Sequence, residues 1–215
     1  MFKDGRIWVA GDGEEKLSMI TKFANRHGLI AGATGTGKTV TLKVIAESFS
    51  DAGVPVLLSD VKGDLSGMCR PGEAKESINK RIAELNLQDE FAFKTYPTIF
   101  WDIFGKRGLP LRTTVSEFGP MLLAKLLGLN QTQSDLLNIV FKIADDESLL
   151  LLDLKDLKAM LNYVAENATE YKAEYGNIAS QSIAAIIRGL VSLEDKGGDM
   201  FFGEPAVDIN DWFVT

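Results

Sequence analysis

The hydrophobic pattern divides the chain into two regimes. Up to about residue 114, apolar residues cluster in short runs bounded by glycine and polar residues. Arg6-Ile7-Trp8-Val9-Ala10, His27-Gly28-Leu29-Ile30-Ala31 and Val54-Pro55-Val56-Leu57-Leu58-Ser59-Asp60 each read as a short strand, and the aromatic, β-branched run Thr98 to Phe104 as another. Between the second and third runs, Leu42, Ile45, Ala46 and Phe49 fall at helical spacing, and Asp51-Ala52-Gly53 ends that helix. Strand, helix and strand within about 35 residues make a βαβ unit, which requires a parallel pair and a right-handed crossover. A further amphipathic helix is predicted over Glu73 to Leu87, with Ile78, Ile82 and Leu85 inward.

From Val115 the period becomes helical. Helices are predicted near 116–128, 133–146, 153–166 and 178–194. Leu136, Leu137, Val140, Phe141 and Ala144 form one apolar face, and Ile183, Ile186, Ile187, Leu190 and Val191 another. The expected organisation is an α/β core segment over 1–114, a helical insertion over 115–200, and the start of a further core segment over 201–215.

Between the second strand and its helix lies Gly32-Ala33-Thr34-Gly35-Thr36-Gly37-Lys38-Thr39, a complete G-x-x-x-x-G-K-[ST] phosphate-binding loop in the strand–loop–helix setting that the motif needs. Glycines let the backbone approach an anion without a Cβ in the way. Consecutive N–H groups from Thr34, Gly35, Thr36, Gly37, Lys38, Thr39 and Val40 are expected to cradle phosphates at a helix N-terminus. Lys38 supplies a full positive charge to the β- and γ-phosphates, and the Thr39 hydroxyl is the expected Mg²⁺ ligand. No guanine-reading pattern is present, so ATP is the expected nucleotide.

Composition narrows the setting. The net charge of −7 argues against a self-sufficient nucleic-acid clamp, although a ring can concentrate positive charge locally, so DNA stays a candidate partner. A single cysteine, Cys69, excludes an internal disulfide framework and fits a reducing compartment. The N-terminus has no apolar signal-peptide core, and no apolar run approaches the ~20 residues of a membrane span. These features lead to the expectation of a soluble, cytoplasmic protein.

Such an ATPase also needs an acid at the end of another core strand to hold Mg²⁺. Asp60 ends the 54–60 run, at the edge of a parallel sheet where ligands bind. Two readings stay open for it: a carboxylate facing the metal, or one that orients the strand end and the following loop. Asp153 follows four leucines, but helical spacing continues through Leu154, Leu157, Met160, Leu161 and Val164, so it reads as a helix N-cap. Asp145-Asp146-Glu147 reads as a solvated helix terminus. Arg188 suits an arginine finger in type, although a stem packed on the core edge with its head in solvent is the stronger reading. His27 reads as a turn residue or a neighbour of the nucleotide base.

Taken together, residues 24–39, Val56-Leu57-Leu58-Ser59-Asp60-Val61-Lys62-Gly63-Asp64-Leu65, Trp101-Asp102-Ile103-Phe104-Gly105, Leu149 to Leu157, Tyr175-Gly176-Asn177 and Phe201-Phe202-Gly203-Glu204-Pro205 resemble the HerA-like branch of the HerA/FtsK P-loop ATPases. The resemblance implies a RecA-like parallel-sheet core with a mostly helical insertion, a hexameric homo-oligomeric ring, and ATP-driven DNA translocation. It also implies an apolar run ending in Asp-Glu after the insertion. No such run precedes Asp211-Trp212-Phe213-Val214-Thr215, so the chain is expected to be the N-terminal portion of a longer ATPase. Two other functions compete: a nucleotide-binding switch or assembly domain without turnover, and a small P-loop kinase. The kinase is disfavoured because Arg6, Arg26, Arg70, Arg81, Arg107, Arg112 and Arg188 are scattered along the chain.

Overall fold

The structure, a computed structural model, describes residues 1–12 and 14–212. The chain packs as two compact units, Met1–Thr98 and Ile99–Thr215.

The first unit begins with an antiparallel sheet in the order β1 (Phe2–Lys3), β2 (Arg6–Gly11), β3 (Lys16–Ile20). Asp4 and Gly5 turn the first hairpin with φ of 51° and 70°, the pair of positive angles that a two-residue primed turn demands. The sheet packs on helix α1 (Lys38–Asp51), with Ile7 fully buried in β2 and Ala46 and Ser48 buried in α1. A Schellman motif ends α1: Val54 N–H donates to the Phe49 carbonyl at 2.9 Å and Gly53 N–H to that of Ser50 at 3.0 Å, with Gly53 left-handed. Asp51, in the last turn, pairs with the Lys94 ammonium and with the amino group of Met1 at 3.5 Å. Helix α2 (Glu76–Glu84) is shorter than the predicted 73–87, and Leu85 and Leu87 bury just beyond it.

The runs expected to form the parallel core, 27–31 and 54–60, join no ladder among the described residues. Leu29 is 90% exposed and Leu57 71% exposed. Among the described residues, parallel pairing joins β4 (Trp101–Asp102) to β5 (Leu109–Pro110), two residues each, and bridges Thr113 to Phe202. The architecture is mixed α/β, about half helical, with small sheets, and the pairing of an expected RecA-like parallel-sheet core is not shown among the described residues. An apolar run records a preference for burial, whereas a ladder needs a neighbouring strand about 4.8 Å away, which sequence pattern does not specify.

The second unit continues with α3 (Val115–Leu127), α4 (Gln131–Asp146), α5 (Leu154–Glu166), α6 (Ala168–Tyr175), α7 (Ser180–Asp195) and α8 (Gly198–Phe201). Thr114 caps α3 by accepting from Glu117 N–H, and Asn130 with Gln133 forms a capping box on α4. The predicted 116–128 helix is interrupted at Gly119 (φ 76°, ψ 160°), where Pro120 removes a donor and favours an extended predecessor. Leu136, Leu137, Val140, Phe141 and Ala144 are all buried, as their spacing predicts. On α7, Ile183, Ile186 and Leu190 are buried while Val191 turns outward, 44% exposed. Leu157, Leu161 and Val164 of α5 complete the same core. Arg112 donates to the carbonyls of Met200 at 3.1 Å and Glu204 at 2.7 Å, tying the 200–204 segment back to residue 112. Of the segment expected to start a further core element, residues 213–215 lie outside the described residues.

Candidate functional site

The expected phosphate-binding loop, residues 32–39, lies immediately before and in the first turn of α1. Gly35 and Gly37 are left-handed, with φ of 83° and 90°, and Gly37 is the N-cap of the helix. No side chain caps α1, so its first N–H groups face outward and carry the positive end of the helix dipole. Gly32 is required for a different reason: a Cβ there would stand 2.4 Å from Thr36 Oγ1. The Thr36 hydroxyl donates to the Ala33 carbonyl at 2.8 Å and closes the turn.

Lys38 folds back over this turn. Its ammonium donates to the carbonyls of Gly32 at 2.7 Å and Ala33 at 2.6 Å. The charge is thus held beside the loop by two neutral carbonyl oxygens, and a phosphate oxygen, which carries a charge of its own, attracts the ammonium more strongly than these dipoles do. Thr34 and Val40 are exposed, Val40 at 64%.

Asp60 and its following loop form the second half of the site. The Asp60 carboxylate accepts N–H bonds from Gly63 at 2.7 Å, Asp64 at 3.2 Å and Leu65 at 3.0 Å. Partial desolvation pushes this carboxyl up, but the N–H groups of Leu65, Gly63, Asp64 and Lys62 outweigh it and hold it below the usual carboxylate range. Gly63, with φ of 75°, permits the tight return, and buried Leu65 anchors its far end. The loop presents Asp64 to the first turn of α1, where the Thr39 hydroxyl donates to Asp64 Oδ2 at 3.2 Å.

The sequence singles out Lys38, Thr39 and Asp60 as candidates, and the structure adds the contact of Asp64 with Thr39. The signal for Asp64 was the second acid in Asp60-Val61-Lys62-Gly63-Asp64, where a glycine lets the chain double back. The Thr39 hydroxyl is a hard oxygen donor beside the Asp64 carboxylate, a setting that suits Mg²⁺, which takes few protein ligands and keeps waters and phosphate oxygens.

The other candidates fall elsewhere. Asp153 is the N-cap of α5: its carboxylate accepts from Lys155 N–H at 2.8 Å and Asp156 N–H at 2.9 Å, and Asp156 reciprocates in a capping box. Asp146 accepts from Lys142 at 3.0 Å and from the Tyr175 hydroxyl at 2.7 Å, and Glu147 from Tyr171, so this acidic run is an exposed helix terminus. Arg188 is exposed on α7, and His27 is exposed ahead of the loop. Among the described residues, no helix is long and apolar enough to cross a membrane.

A family model described as "Helicase HerA-like C-terminal" matches residues 6–215. No curated protein and no solved structure matches the chain. The expected N-terminal portion is thereby corrected, since the matching model describes a C-terminal region. Because that match takes in both halves of the site just described and nearly all of the chain, the chain belongs to the helicase HerA-like C-terminal family.

Proposed function

We propose that this chain binds Mg-ATP at residues 32–39 and is the nucleotide-binding part of a HerA-like ATPase that couples hydrolysis to DNA translocation or remodelling. The observation that supports this most is the pose of Lys38, poised over a turn whose glycines leave the N–H groups of α1 unobstructed. Thr34 to Val40 hold the phosphates through backbone N–H groups, Lys38 brings its charge to the β- and γ-phosphates, and Thr39 ligates the metal. The bound Mg²⁺ supplies electrostatic stabilisation of charge on the transferred phosphoryl group. Asp60 orders the 60–65 loop beside Thr39. A homo-oligomeric ring and a cytoplasmic location belong to the same proposal, drawn from the resemblance and the composition.

A switch or assembly domain without turnover is the second reading. It is favoured by the engagement of both Asp60 oxygens with backbone N–H groups, which occupies the expected strand-end acid. A kinase draws no support: Arg112 is spent on backbone carbonyls and Arg81 on Glu84.

Phosphate release from ATP, measured with and without duplex DNA for the natural chain and Lys38→Ala, tests the proposal. DNA-stimulated release that disappears in Lys38→Ala is expected. Release that survives the substitution would reject the site, and binding without release would favour the switch.

A further inference from the structure

We propose that Asp64 is the residue that positions Thr39 for Mg²⁺, through the hydrogen bond between the Thr39 hydroxyl and its carboxylate. This inference rests on the nucleotide-binding reading above and gives to Asp64, rather than Asp60, the part of the acid beside the metal ligand.

A threonine hydroxyl has one hydrogen and two lone pairs, and the hydrogen rotates to whichever acceptor is nearest. In the first turn of a helix the usual alternative acceptor is a backbone carbonyl one turn back. With its hydrogen committed to Asp64 Oδ2 at 3.2 Å, the Thr39 oxygen turns its lone pairs away from the carboxylate and keeps them for a cation. Asp64 adds a negative charge beside the same position, where a hard divalent ion is favoured. Neither effect is available from Asp60, whose oxygens accept from Gly63, Asp64 and Leu65.

The loop is built to deliver Asp64 to that place. Asp60 gathers three consecutive N–H groups, Gly63 makes the left-handed turn, and the Ser66 hydroxyl closes the loop onto the Gly63 carbonyl at 3.1 Å. Leu65, next to Asp64, is buried and fixes the register of the exposed acid. Asp60 thus acts through the loop and Asp64 through Thr39, and of the three Thr39 would be the metal ligand.

Isothermal titration of a nonhydrolysable ATP analogue, in Mg²⁺ and in EDTA, tests this on the full chain and on Asp64→Ala, Asp64→Asn and Lys38→Ala. The natural chain should bind more tightly in Mg²⁺. Asp64→Ala should lose about tenfold in Mg²⁺, the scale on which ligand-orienting partners act, while its affinity in EDTA stays unchanged. Asp64→Asn retains an acceptor for the hydroxyl and should fall between the two. Lys38→Ala should lose binding under both conditions. Equal loss in Mg²⁺ and EDTA for Asp64→Ala, no loss at all, or an Asn variant no better than Ala would overturn the assignment of Asp64 and leave the nucleotide site standing. Failure of the natural chain to bind the analogue under either condition would overturn the nucleotide reading, and Asp64 with it.

Discussion

Gly32 and Thr36 approach so closely that a Cβ on residue 32 would lie 2.4 Å from Thr36 Oγ1. The closeness follows from the hydroxyl's bond to the Ala33 carbonyl, which draws the Thr36 side chain over the start of the loop. Gly32→Ala must therefore break that turn or displace the loop. It should weaken binding of the ATP analogue by a factor of about 10 to 100, the loss of one charge-assisted hydrogen bond's worth of affinity. Gly32→Ala combined with Thr36→Ala removes the collision and should recover much of the loss. A double variant as weak as the single would place the requirement for glycine elsewhere.

Asp153 is a structural acid, the N-cap of α5. Asp153→Ala removes the N-cap of α5 and its reciprocal box with Asp156. Urea unfolding should show a loss of about 1 kcal/mol, while nucleotide affinity stays unchanged. A change in Mg²⁺-dependent binding would contradict a purely structural role for Asp153.

Leu157 is fully buried in the helical core among α5 and its neighbours. Leu157→Ala should cost about 2–5 kcal/mol, through lost burial and the cavity left behind, seen as a lower urea midpoint. A cost near zero would mean that the core collapses freely around the site.

Asp102 gives the fold a measurable response to acid. Its carboxylate accepts from Arg107 N–H at 2.9 Å, Phe104 N–H at 3.1 Å and Lys106 N–H at 2.8 Å, and these bonds, that to Arg107 foremost, hold it below the usual carboxylate range. A depressed native value stabilises the folded loop above the unfolded carboxylate value of about 3.9. That contribution drains away as pH falls from there through the native value. Amide exchange at Phe104, Lys106 and Arg107 should therefore lose protection below about pH 4. In Asp102→Asn the protection should be lower at neutral pH and independent of acid. An acid response retained by Asp102→Asn would assign it to another group.

The helical unit was legible because its signals are local. Leu136, Leu137, Val140, Phe141 and Ala144 repeat at the helical period and all bury, and Asp153 stands where an N-cap belongs. The candidate phosphate-binding loop could be singled out for the same reason, since its glycines, lysine and threonine sit at fixed spacing. The runs 27–31 and 54–60 carry the composition of buried strands, yet pairing depends on a distant partner, and Leu29 and Leu57 stay exposed. Asp64 was missed because its meeting with Thr39 arises from a loop folded around Asp60, a contact between residues 25 apart that no periodicity encodes. The break at Gly119-Pro120 was readable from proline alone, but the continuous apolar spacing on either side masked it.

The proposed nucleotide site at residues 32–39 depends on Lys38 for its affinity. Equilibrium titration of a fluorescent ATP analogue in Mg²⁺, on the natural chain and Lys38→Ala, tests this most directly. Saturable binding that unlabelled ATP displaces, and that Lys38→Ala weakens by about 10- to 100-fold, is the expected result. Binding of equal strength in both proteins, or none in the natural chain, would contradict it.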